Sequence, residues 1–174
     1  QGAVMLAEED EAGQRWCEEK GYLGYTSYAS LNDLGDRLPA YGKLEKRLVK
    51  AANAFAKSLD YDLGKDKLKM NSFWVNILDP GAGHSGHIHP NSVISGTFYL
   101  DLPEGTSPIR FEDPRLAMMM NAPAQASEVA DHRKRFVYIQ PQEGHALFWE
   151  SWLRHEVMVN LSDDPRVSIS FNLG

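Results

Sequence analysis

From Leu68 to the C-terminus the chain is cut into short runs rich in β-branched and aromatic residues, each closed by turn formers. The runs are 72–78, 93–102, 109–112, 136–140, 146–150, 155–161 and 166–173. Between them stand clusters such as Asp79-Pro80-Gly81, Pro103-Glu104-Gly105, Pro141-Gln142-Glu143-Gly144 and Asp163-Asp164-Pro165. Many short strands at such spacing predict a sandwich or barrel rather than a parallel α/β sheet. The expected fold is mainly β with flanking helices (α+β), a jelly roll or double-stranded β-helix.

Residues 1–67 carry a different pattern. A helix is predicted over 3–20, with acidic residues early and Lys20-Gly21 at its end. A second is predicted over 41–59, where Tyr41, Leu44, Leu48, Ala52, Phe55 and Leu59 recur at three- and four-residue steps. The whole of 1–174 is expected to be one domain, with a helical part (1–67) packed outside a β core (68–174). The segment 116–133, with Met118-Met119-Met120 and Ala122-Pro123-Ala124, reads as an insertion or lid rather than a strand.

Charge and cysteine content narrow the function. With 18 Lys and Arg against 24 Asp and Glu, the net charge is −6, which argues against a general affinity for nucleic-acid phosphates. A lone cysteine, Cys17, forms no intrachain disulfide and no thiolate zinc site, so a reducing cytoplasm is the expected location. No apolar run approaches the ~20 residues of a membrane span, and no signal-like segment opens the chain. A homo-oligomer is left open.

The chemistry is expected at the histidines. In an extended strand, His87 and His89 point to one face with Cα atoms about 7 Å apart, so both imidazoles can lean onto one ion. Two ligands do not make a site, and solvent-facing histidines at a loop mouth are the plain alternative. His155, at the head of a late strand, is the preferred third ligand and His145 the second choice. His84, in a Gly-rich turn, and His132, beside Arg133 and Lys134, are expected to be exposed. The last strand alternates Arg166, Ser168, Ser170 and Asn172 with Val167, Ile169, Phe171 and Leu173. Its polar face reads either as solvent-facing or, in a barrel around a polar ligand, as the inner one. In the second case Arg166 requires an anion, best a carboxylate.

Taken together, His87-x-His89-Pro90-Asn91-Ser92-x-x-Ser95-Gly96-x-x-Tyr99-Leu100, Phe111-x-Asp113-Pro114, Gly144 followed by Phe148-x-x-Ser151-Trp152-Leu153-x-His155, and Arg166-x-Ser168-Ile169-Ser170-Phe171-Asn172 resemble one largely uncharacterised branch of the 2-oxoglutarate and Fe(II)-dependent oxygenases. The stretch 79–100 also resembles prolyl 4-hydroxylases. The resemblance covers roughly 72–174. It implies a jelly roll with Fe(II) at its open end and 2-oxoglutarate as co-substrate. His87 and His155 take the two histidine positions of the metal triad; Arg166 pairs with the distal carboxylate of 2-oxoglutarate, Ser168 hydrogen-bonds it, and Tyr99 falls where prolyl hydroxylases contact it. The superfamily has Asp or Glu where this chain has His89. Either His89 is itself a ligand, the preferred reading, or it stands near the metal while another group fills that place.

The implied activity is hydroxylation of a peptide or small-molecule substrate with release of succinate and CO2. Trp74, Trp149 and Trp152 are candidate pocket residues, and 116–133 a candidate cover. Two alternatives stand beside this reading. One is a cupin-type metalloenzyme, for which the glutamate expected after the His-x-His pair is missing. The other is a jelly-roll module that binds a ligand without catalysis.

Overall fold

A computed structural model describes all residues, 1–174. Two helices, α1 (Gly2–Glu9) and α2 (Glu11–Lys20), replace the single predicted one. The break is at Asp10, whose carboxylate accepts from the Gly13 amide at 3.0 Å and so caps α2. The same buried carboxylate takes the hydroxyls of Tyr25 and Ser30. An aspartate satisfied in this way favours a cap over a helix interior. Strand β1 (Gly24–Thr26) and the short α3 (Leu34–Arg37) follow, neither visible in the periodicity. The main helix α4 (Pro39–Ser58) starts on Pro39, whose missing N–H costs nothing in a first turn.

The β part comprises β2 (Met70–Leu78), β3 (His84–His87), β4 (Ile94–Asp101), β5 (Ile109–Glu112), β6 (Phe136–Ile139), β7 (Ala146–Glu150), β8 (His155–Val157) and β9 (Arg166–Leu173). They form a five-stranded sheet in the order β1-β2-β9-β4-β7 and a four-stranded sheet in the order β3-β8-β5-β6, every pairing within them antiparallel. Two such sheets make the expected jelly roll. Strand β3 is a correction: its Gly-rich sequence reads as a turn, yet it pairs with β8, His87 opposite His155. Strand β8 ends at Val157 rather than Leu161, because Met158 turns its amide to Pro108 instead of to the ladder.

The core lies between α4 and the outer face of the larger sheet. Leu48, Ala52 and Ala56 of α4 pack in one cluster with Phe73, Val75, Ile169, Phe171 and Leu173. Phe55 leads onto Phe148 (6.3 Å between ring centroids) and Phe148 onto Phe171 (5.3 Å). Gly96 lets β4 lie this close: a Cβ there would stand 2.4 Å from the Phe171 ring and 2.5 Å from the Leu147 carbonyl oxygen. Because the helices cover the apolar face of β9, its polar face turns inward. Arg166 is 2% exposed and Ser168 4%, which decides between the two readings of that strand.

Segment 116–133 forms two short 3-10 turns, at Leu116–Met119 and Asp131–Arg133, with Met118 and Met120 in solvent. No helix is long and apolar enough to cross a membrane.

Candidate active site

Pairing of β3 with β8 places His87 beside His155, and the chain just beyond β3 is tied down by the His89 amide donating to the Ser151 carbonyl at 3.0 Å. The three imidazoles therefore meet, one nitrogen of each lying within 4.8 Å of the others. His145 and His132 are exposed and elsewhere. His84 is not free in solvent, contrary to expectation. It sits on the inward side of β3, half-buried, sharing a 2.6 Å hydrogen bond between its Nε2 and the Tyr22 hydroxyl.

Local hydrogen bonds set the tautomers. Nδ1 of His87 lies 2.7 Å from the Ser85 carbonyl oxygen, and Nδ1 of His155 lies 2.9 Å from that of Leu153. A carbonyl only accepts, so each Nδ1 carries a proton, and in the neutral ring it is Nε2 that keeps the lone pair. Nε2 of His89 is 3.3 Å from Nε2 of His155. Two nitrogens at that distance are held by one shared proton or by one cation between them.

Burial decides which species is present. It is the main cause that pushes the His155 imidazole down to about 4 and His89 down to about 3, with the neighbouring histidines adding to it. His84 is lowered to about 4, again by burial first and then by His87 and Arg166. At neutral pH these imidazoles are uncharged, which is the form that binds a metal. Three neutral nitrogen donors this close together suit a first-row ion such as Fe(II), which His87, His89 and His155 would hold.

Aromatic rings hold the cluster. Trp149 packs edge-on against His155 (4.7 Å), Phe111 lies 5.9 Å from it, and Trp74 stands 6.2 Å from His89. The cluster opens into a cavity of about 450 Å³. Trp74 and Trp149 are on its wall; Trp152 is not, being half-exposed and bonded through Nε1 to Glu150 at 3.2 Å. No residue of 116–133 reaches the wall either. Trp16, Tyr22 and Tyr28 do, and sequence reasoning missed all three. They lie in the N-terminal part, where nothing in the spacing ties them to the histidines.

Arg166, Ser168 and Tyr99 lie together in the interior next to this cavity but not on its wall. Arg166 donates through Nη1 to the Ser107 carbonyl at 3.0 Å, and its Cζ is 5.2 Å from the centre of the Tyr99 ring. Its Nε and the Tyr99 hydroxyl are buried without a partner, and no carboxylate pairs with the guanidinium. Burial lowers the Arg166 pKa, while Tyr99 opposes the shift. A buried cation with an unmet N–H beside an unmet phenol is a cradle for an anionic oxygen.

Comparison with the curated proteins finds no match. Solved structures do match in fold. A prolyl-4-hydroxylase from Pseudomonas putida has a TM-score of 0.54 at 14% identity, over 98% of this chain and 86% of that one. The non-heme alpha ketoglutarate dependent carbocyclase SnoK from nogalamycin biosynthesis has a TM-score of 0.61 at 12% identity, over 97% and 75%. An oxidoreductase of the 2OG-Fe(II) oxygenase family from Burkholderia pseudomallei has a TM-score of 0.50 at 11% identity, over 64% and 47%, so the chain spans about half of that protein's length. Identities this low establish the double-stranded β-helix and no more. The family model described as "Putative 2OG-Fe(II) oxygenase" matches residues 72–172, from the middle of β2 to the end of β9, and so takes in every histidine of the cluster together with Tyr99, Arg166 and Ser168. Since that match spans more than half of the sequence, the chain belongs to the 2OG-Fe(II) oxygenase family.

Proposed function

We propose that the protein is an oxygenase that hydroxylates a peptide or small-molecule substrate at the expense of 2-oxoglutarate, with release of succinate and CO2. His87, His89 and His155 are assigned as the Fe(II) ligands, and Arg166, Ser168 and Tyr99 as the holders of the co-substrate. The observation that carries the reading is the meeting of three imidazoles, two of them with Nδ1 fixed by backbone carbonyls so that Nε2 is available to a cation.

Iron bound there supplies dioxygen activation coupled to oxidative decarboxylation of the co-substrate. The chain's own part is placement. Trp149 and Phe111 pack on the His155 ring and Trp74 on that of His89, which fixes their orientation. Arg166 offers its open Nε, and Tyr99 its hydroxyl, to a carboxylate. With His89 in place of a carboxylate ligand the protein adds no negative charge to the centre. The two positive charges of a bound Fe(II) would then be left for a dianionic co-substrate to balance. Residues 1–174 are read as a single working unit, because the helices bury the apolar face of the strand that carries Arg166. The single, buried Cys17 suits a reducing cytoplasm.

The test is anaerobic titration of the metal-free protein with Fe(II), followed by 2-oxoglutarate, with succinate measured after oxygen is admitted. One iron per chain, co-substrate binding that needs the iron, and succinate release are expected. His155→Ala should weaken iron binding by more than about a hundredfold, since even outer partners of a metal site contribute 10–100-fold. Arg166→Met should leave iron binding intact and weaken 2-oxoglutarate by about 10–100-fold, the worth of a charge-assisted hydrogen bond. Iron binding that survives loss of His155, or co-substrate binding indifferent to Arg166, would overturn the assignment.

A further inference from the structure

The cavity beside the histidines has an unusual wall for a site expected to work with a charged co-substrate: no Asp, Glu, Lys or Arg is on it. Its aromatic surface comes from both halves of the chain. Trp74 and Trp149 are contributed by the matched family region, and Trp16, Tyr22 and Tyr28 by residues outside it. Tyr28 meets Trp74 edge-on at 5.1 Å, and Trp16 lies 6.4 Å from Tyr22, so the rings stand in two pairs. Such rings offer flat apolar area with little conformational freedom to lose on binding.

The cavity also has a polar, uncharged floor. Thr26 Oγ1 donates to Asn76 Oδ1 (2.8 Å), Asn76 Nδ2 donates to Ser170 Oγ (2.9 Å), and Ser170 shares a 3.1 Å bond with Thr97. When Ser170 donates to Thr97, the Thr97 proton is left free, and the serine and threonine oxygens keep spare lone pairs. The Trp149 indole N–H has no protein partner. A ligand bearing hydroxyl, carbonyl or amide groups satisfies such a surface. A ligand bringing a charge against this surface finds no charged side chain on it, the Arg166 guanidinium lying behind the wall, and loses its hydration.

We propose that the substrate bound at this site is an uncharged ring compound carrying hydroxyl or amide groups, clasped between the N-terminal aromatic residues Trp16, Tyr22 and Tyr28 and the neutral floor formed by Thr26, Asn76, Thr97 and Ser170. The inference rests on the oxygenase reading only in calling the ligand a substrate; the cavity's preference is a binding property that stands without turnover. It also assigns a task to the N-terminal part, which the family region alone does not explain. The Tyr22 hydroxyl is held by His84, so its ring is fixed at the wall.

Three small probes that share one phenol ring test it: N-acetyltyrosinamide, which is neutral; N-acetyltyrosine, an anion; and tyramine, a cation. Binding to the full chain is followed by saturation-transfer NMR and by quenching of tryptophan fluorescence, with no iron, 2-oxoglutarate or oxygen present. The neutral probe is expected to bind at least about tenfold more tightly than either charged one, in line with the desolvation cost of a charge left unpaired. Tyr28→Ala, at a half-exposed position, should weaken it about three- to tenfold, the worth of one aromatic contact. Trp16→Leu checks the same wall with a variant that keeps apolar bulk.

A charged probe that binds as well as the neutral one overturns the proposal, as does binding of none of the three or a neutral affinity indifferent to both variants. Failure of iron and 2-oxoglutarate to bind while the neutral preference persists would instead overturn the oxygenase reading and leave the cavity's selectivity standing.

Discussion

The two sheets are built differently. The larger is buried on both faces, by α4 and the apolar cluster outside and by the polar interior inside, and its three longest strands run nine, eight and eight residues. The smaller has strands of three and four residues, only one of the chain's largest fully buried side chains (Ile109), and an outer face carrying ion pairs. The proposed work is divided along the same line. Arg166, Ser168 and Tyr99 stand on the larger sheet, whereas His87 and His155 stand on the smaller, with His89 just beyond it. The proposed co-substrate cradle is thus held by the fold itself. The proposed metal ligands are held by a sheet that a bound metal would in turn hold together.

The largest effect that would sharpen this contrast is on stability. Phe171→Ala empties a fully buried position between α4, β7 and β4, and should cost about 3–5 kcal/mol in urea denaturation. Phe111→Ala, on the smaller sheet and only partly buried, should cost less. Equal losses would erase the distinction. Next comes the response to metal. Adding Fe(II) anaerobically should slow amide hydrogen exchange in β3 and β8 and leave β2 and β9 unchanged, since only the first pair is bridged by the histidines. In His155→Ala that protection should vanish.

Acid gives a third, intermediate effect. His155 is 3% exposed and its folded-state pKa, about 4, is below the unfolded value of 6.5 because burial disfavours the cation. Between those values the unfolded chain binds the proton and the folded chain does not, so stability falls as pH drops from 6.5 toward 4 and is insensitive to this group above 6.5. The slope is about 1.4 kcal/mol per pH unit for one such histidine, and His89 acts in the same direction. Thermal melts of the metal-free protein at stepped pH read it directly. His155→Ala should flatten the slope, and an unchanged slope would show that the cluster is not the buried neutral set described.

Legibility in the sequence divides along physical lines. Strand β9 was readable because period-two alternation is a local property, and so was the stripe of α4. Which face of β9 turns inward was not, since that depends on where the helices pack, and an Arg-Ser-Ser-Asn face suits solvent equally well. His87 and His155 could be joined through the resemblance, while β3 itself hid behind Gly81, Gly83 and Gly86: its pairing comes from β8, seventy residues away, and not from propensity. The split at Asp10 was hidden because its partners, Tyr25 and Ser30, lie beyond the helix. The N-terminal side of the cavity had no sequence signal. Trp16, Tyr22 and Tyr28 look like ordinary packing until the fold sets Tyr28 against Trp74 and Tyr22 against His84.

The smallest expected effect tests what fastens the smaller sheet from outside. Arg110 and Glu156 face each other across β5 and β8 at 2.8 Å, each about a quarter exposed, with the guanidinium 4.5 Å above the Phe136 ring of β6. Arg154 lies 3.5 Å from Glu112 on the same sheet, and no ion pair links strands of the larger one. Glu156→Gln keeps the shape and removes the charge, and should cost about 0.2–1 kcal/mol, the usual worth of a partly solvated pair. At molar salt, where the screening length is about 3 Å, the difference between variant and parent should shrink toward zero. A loss that persists in salt would mean that Glu156 acts through packing or hydrogen bonding, and the smaller sheet would then rest on the same kind of support as the larger.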